Sequence, residues 1–101
     1  MPIYLNKMKE IIVYTSNFCG YCGAAKQWLQ NNELDFTEIN LDERNERKKF
    51  SEKYPYLRTS PQIFCDGKNI GGFTDLIEED PNDLRWITNH RRRKKKDWDE
   101  N

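Results

Sequence analysis

The chain has 101 residues, 36 % hydrophobic and 34 % charged, which fits one compact domain with a highly charged surface. Its formal net charge is zero but unevenly spread: Arg91 to Lys96 carry six of the 17 basic residues, and Asp97, Asp99 and Glu100 three of the 17 acidic ones, so residues 1–90 hold 11 basic against 14 acidic. The 13 % aromatic content argues against a wholly disordered chain, and three cysteines do not make the even framework of a disulfide-stapled secreted domain.

In chain order, Ile11-Ile12-Val13-Tyr14-Thr15 is a β-branched and aromatic run with the composition of a buried strand. Ser16, Asn17 and Gly20 mark a loop around Cys19 and Cys22. Ala24, Ala25, Trp28 and Leu29 then recur at helical spacing, and Asn31-Asn32 closes that helix because Asn tolerates the left-handed conformation. Phe36 to Leu41 reads as a second strand. Asp42 is placed to cap a polar surface helix from Glu43 to about Tyr54, with only Phe50 and Tyr54 as an apolar stripe.

Gln62 to Cys65 and Lys68 to Ile70 flank Asp66-Gly67, a strong hairpin signal. Phe73 to Glu79 reads as a helix with Leu76 and Ile77 inward, and Pro81 opens a last one through Leu84, Trp86 and Ile87. The order β-α-β-α-β-β-α implies a parallel first pair with a right-handed crossover and an antiparallel hairpin at the edge. The expected fold is an α/β, four-stranded mixed sheet with helices on both faces, as residues 1–90, followed by a charged tail, residues 91–101.

Cys19-Gly20-Tyr21-Cys22 sits where the first strand hands over to the first helix. Helix N-termini expose unpaired N–H groups and partial positive charge, which lower a thiol from about 8.5 to roughly 3.5–7.5. Cys19 is therefore the expected thiolate nucleophile. Cys22, a turn deeper, is positioned to resolve a mixed disulfide formed on it. The competing reading is half a zinc site. Zinc usually takes four protein ligands, and only Cys65 and His90 are left to offer, so the redox reading is preferred. Cys65 reads as a small buried strand residue and His90 as a solvated tail residue.

Three segments, Tyr14-Thr15-Ser16-Asn17-Phe18-Cys19-Gly20-Tyr21-Cys22, Thr59-Ser60-Pro61-Gln62-Ile63-Phe64 and Gly71-Gly72-Phe73-Thr74-Asp75-Leu76, resemble the glutaredoxin family in order and spacing, over roughly residues 10–79. The resemblance implies a thioredoxin-like fold and a glutathione-dependent thiol–disulfide oxidoreductase. It implies that Pro61 is a cis proline facing the cysteines, presenting the Ser60 backbone to an extended peptide. It also implies that Gly71-Gly72 with Thr74 and Asp75 receives the γ-glutamyl end of glutathione, Asp75 suiting its ammonium. Tyr21 keeps the family's aromatic between the cysteines. The chain departs from the pattern at three places. Ser16 stands where many relatives carry Lys, Gly20 where Pro is usual, and Ser60 where Val is common. Arg58 is the candidate to replace the missing cation at the glycine carboxylate of glutathione.

The expected partners are glutathione and disulfide-bearing or glutathionylated proteins, met by a monomer. With no apolar run suited to a signal peptide or a membrane span near the N-terminus, a reducing, cytoplasmic setting and no membrane partner are expected. One alternative is a [2Fe–2S] carrier, in which Cys19 from two subunits and two glutathiones hold the cluster and Gly20 leaves room for ligation. A remoter one is nucleic-acid binding through the basic run at 90–96, which Asp97, Asp99 and Glu100 partly neutralise.

Overall fold

The computed structural model describes residues 9–85. Trp86 and Ile87 of the anticipated last helix, His90 and the tail 91–101 lie outside the described residues. Strand β1 (Ile11–Thr15) leads into helix α1 (Gly20–Asn31), followed by β2 (Thr37–Asn40), α2 (Glu46–Lys53), the hairpin β3 (Gln62–Cys65) and β4 (Lys68–Gly71), and two short helices, α3 (Phe73–Leu76) and α4 (Pro81–Arg85). The sheet order is β2-β1-β3-β4, with β1–β2 parallel and the β1–β3 and β3–β4 pairs antiparallel. This is the expected four-stranded mixed sheet.

Alternation along β1 decides which helix covers which face. Ile11 and Val13 point into a core shared with Ala25 and Leu29 of α1, Ile63 and Cys65 of β3, Leu76 of α3 and Leu84 of α4. Ile12 and Tyr14 point the other way, onto Phe64 and onto Phe50 of α2. Helices therefore lie on both faces, and central β3 is buried at all four residues. In the turn, Asp66 and Gly67 both adopt positive φ, 53° and 85°, which is what a two-residue hairpin joining right-twisted strands requires.

Four local expectations are corrected. Asp42 does not cap α2. The helix starts at Glu46 behind Asn45, whose φ of 64° suits an Asn, while Asp42 binds elsewhere. At the end of α1 the left-handed residue is Glu33, and Asn32 instead turns its side-chain amide onto the Trp28 carbonyl at 2.8 Å. Helix α3 stops at Leu76, short of Glu79. Ile77 is 44 % exposed and not part of the core.

Candidate active site

Three segments far apart in sequence meet at the carboxyl end of β1. The first is the turn that delivers Cys19. Phe18 adopts φ 57°, fully exposed, and reverses the chain so that Cys19 becomes the N-cap of α1. Its sulfur accepts the Cys22 N–H at 3.1 Å, one of the donors that a helix start leaves without a backbone partner. Cys19 and Cys22 are joined as a disulfide, with Cα atoms 5.3 Å apart. Cys19 is half-buried and Cys22 is buried, so of the two sulfurs the first faces the approach.

The turn is tied down from β2 and the loop behind it. Asp42 accepts the Asn17 backbone N–H at 2.7 Å and the Arg47 guanidinium at 2.6 Å, and the Asn40 amide donates to the Asn17 side chain at 3.0 Å. The Asn17 N–H, and then Arg47, hold the Asp42 carboxyl below the usual carboxylate range. Asp42, expected as a helix cap, is thus an anchor of the cysteine loop.

The second segment is Thr59-Ser60-Pro61. The Ser60–Pro61 peptide is cis, and the Ser60 carbonyl oxygen lies 3.6 Å from Cys19 Sγ. The Ser60 hydroxyl is 3.9 Å from the same sulfur and 2.8 Å from the Ser16 hydroxyl. Beside it opens a groove of about 370 Å³ between α2 and this loop, lined by Arg47, Phe50, Leu57, Arg58, Thr59 and Ser60 among others. Arg47 was missed in the sequence, although it lies three residues before Phe50 and so shares its helical face.

The third segment begins at Gly71-Gly72. A Cβ on Gly72 would sit 3.5 Å from the Pro61 carbonyl, so this backbone passes against the cis proline. The Asp75 carboxylate accepts the Gly72 N–H at 3.0 Å, and a side chain on Gly71, whose φ is 119°, would collide with it. Phe73, not anticipated as a site residue although it stands inside the third family segment, stacks on the Tyr21 ring with centroids 5.8 Å apart. Of the anticipated site residues, Tyr21, Arg58, Thr74 and Asp75 are exposed, Cys19, Ser60 and Gly72 are half-buried, and Cys22 and Pro61 are buried.

Cys65 stands apart. It is buried against the Leu84 carbonyl, its Sγ 3.6 Å from that oxygen, and burial pushes its thiol up. Among the described residues no cluster of three or more His, Cys, Asp or Glu is placed to hold a metal ion, and no helix is long and apolar enough to cross a membrane.

The glutaredoxin family model matches residues 11–70. The glutaredoxin of Pseudomonas aeruginosa is 36 % identical over 69 residues, which is 68 % of this chain and 82 % of that protein. Among solved structures, glutaredoxin 1 from Francisella tularensis complexed with cacodylate is 38 % identical with a TM-score of 0.58, over 69 % of this chain and 90 % of the other. The buckwheat glutaredoxin–glutathione complex is 26 % identical with a TM-score of 0.59, over 69 % of this chain and 66 % of the other.

Proposed function

This chain belongs to the glutaredoxin family, whose members are thiol–disulfide oxidoreductases, and on that premise we propose that it uses glutathione to reduce protein disulfides and protein–glutathione mixed disulfides. The observation that carries the reading is the asymmetry of the cysteine pair. Cys19 caps α1, half-buried, with the Cys22 N–H on its sulfur, while Cys22 is buried one turn behind it.

In deglutathionylation the Cys19 thiolate attacks the glutathione sulfur of the mixed disulfide. The protein thiolate leaves and takes a proton from water, and glutathione is left bonded to Cys19. The thiolate of a second glutathione attacks the sulfur of the bound glutathione, releasing glutathione disulfide and the Cys19 thiolate. With a protein disulfide, the Cys19 thiolate attacks one substrate sulfur, the substrate S–S bond breaks, and the other substrate sulfur leaves as a thiolate. The Cys22 thiolate then attacks Cys19 Sγ, the substrate sulfur bonded there leaves as a thiolate, and the Cys19–Cys22 disulfide closes. Two glutathiones reopen it. Each exchange breaks one S–S bond and makes one.

Glutathione in the buckwheat complex favours the same co-substrate here. Its cysteine moiety would pair with the backbone of Ser60, ahead of cis Pro61, and lie beside the Tyr21 ring. Its γ-glutamyl ammonium would meet Asp75, whose Oδ2 is taken by Gly72 N–H and whose Oδ1 takes no protein hydrogen bond among the described residues. Its α-carboxylate would meet Thr74 beside the Gly72 backbone. The glycine carboxylate would reach Arg58 in the groove, since Arg47 is already engaged by Asp42.

The test is a coupled glutathione turnover assay on two variants. Cys19→Ser should lose all activity. Cys22→Ser should keep deglutathionylation and lose most reduction of protein disulfides. Glutathione turnover surviving in Cys19→Ser refutes the assignment. A wild-type protein purified as a coloured dimer, inactive as a reductase, would instead favour the cluster-carrier reading.

A further inference from the structure

The β1–β3 register places two serines opposite each other beside the reactive sulfur. Ile11 pairs with Cys65, Ile12 with Phe64, Val13 with Ile63 and Tyr14 with Gln62. Carried two residues past Tyr14, the same register sets Ser16 against Ser60. Their hydroxyl oxygens are 2.8 Å apart although 44 positions separate them in the chain, and Ser60 Oγ is 3.9 Å from Cys19 Sγ. Both serines are half-buried.

We propose that the Ser60 hydroxyl is a catalytic group that donates to the Cys19 thiolate, and that Ser16 is a positioning residue that orients it. The proposal rests on Cys19 being the nucleophile.

Among the described residues the sulfur has three polar neighbours, none of them cationic: the Cys22 N–H at 3.1 Å, the Ser60 carbonyl oxygen at 3.6 Å and the Ser60 hydroxyl at 3.9 Å. The N–H favours the anion. The carbonyl oxygen works the other way, since it can accept from an S–H and repels a thiolate. The Ser60 hydroxyl offsets that carbonyl because it is a rotatable donor at the same sulfur.

In the disulfide the sulfur carries no charge, and the hydroxyl contact is long. When the reduced Cys19 ionises, its proton goes to water and only the S–H bond breaks. The Ser60 O–H turns to the sulfur, and the Ser16 O–H donates in turn to Ser60 Oγ. Two hydroxyls in series toward an anion polarise one another, and both keep their protons throughout. A fixed cation at residue 16 is then unnecessary, which gives the Ser16 and Ser60 departures from the common family pattern a single explanation.

The test is the pH dependence of iodoacetamide alkylation of the fully reduced chain, with each cysteine read separately by peptide mass. Ser60→Ala should raise the Cys19 midpoint by about one pH unit, or about tenfold slower alkylation below both midpoints. Ser60→Thr, which keeps the hydroxyl, should stay within about twofold of wild type. Ser16→Ala should raise the midpoint less, and the double variant no more than Ser60→Ala alone. An unmoved Cys19 midpoint in Ser60→Ala overturns the proposal. So does an unmoved midpoint in Ser16→Ala, which stands as the test should Ser60→Ala fail to fold. If Cys22 is the thiol alkylated first at low pH in the wild type, the nucleophile assignment itself is wrong, and that outcome is separate from the other two.

Discussion

Asp75 performs a structural task now and, on the proposed function, a binding task as well, and two substitutions separate them. Its Oδ2 accepts the Gly72 N–H at 3.0 Å, closing the first turn of α3 in the way a third-position carboxylate completes a capping box. Its negative charge would hold the glutathione ammonium. Asp75→Asn keeps the shape and an acceptor for Gly72 but removes the charge. A hydrogen bond to a charged group contributes about 1.5–3 kcal/mol, and an exposed site takes the low end, so glutathione KM should rise about tenfold. Melting should shift little. Asp75→Ala removes both interactions. It should show the same or a larger KM effect, and also lose about 1 kcal/mol of cap stability, or about 4–8 °C in Tm for a domain of this size. The assays are glutathione saturation kinetics and a thermal melt followed by circular dichroism. An unchanged KM in Asp75→Asn removes the residue from the glutathione site. A melting point in Asp75→Asn as low as that of Asp75→Ala shows that the charge, and not the acceptor geometry, holds α3.

Asp42 makes a prediction about acid. The Asn17 N–H and Arg47 lower its pKa in the folded chain, so its stabilising contribution is complete above the ordinary carboxylate range and is lost as pH falls through the lowered folded value. Asp42→Asn should flatten the acid limb of a Tm-versus-pH curve between about pH 5 and pH 2, and parallel curves for the two proteins would contradict the reasoning. Leu29 is fully buried in the core beneath α1, so Leu29→Ala should cost about 2.5–5 kcal/mol in urea unfolding. That is a large part of the roughly 5–15 kcal/mol expected for a domain this size. A loss under about 1 kcal/mol would mean that the core closes over the gap.

Where a residue's neighbours in the chain suffice to specify its conformation, the sequence was enough. The β-branched run of β1 and the Asp66-Gly67 turn between β3 and β4 were legible for that reason, as were the helical spacing of Ala25 and Leu29 and the cysteine pair at the strand-to-helix junction. The family resemblance added the cis proline, which local chemistry leaves open between cis and trans. Tertiary structure alone decided the partners. Asp42 has the composition of a cap, yet the Asn17 N–H and Arg47 claim its carboxylate and the helix starts three residues later. Ile77 has the composition of a core residue, but α3 ends before it and leaves it in solvent. Phe73 under Tyr21, and Ser16 against Ser60, are contacts across 52 and 44 positions of chain. Propensity and capping act over about one helical turn, whereas contacts of that span exist only once strands β1 and β3 have paired in a definite register, which is settled by how the whole sheet buries its two faces.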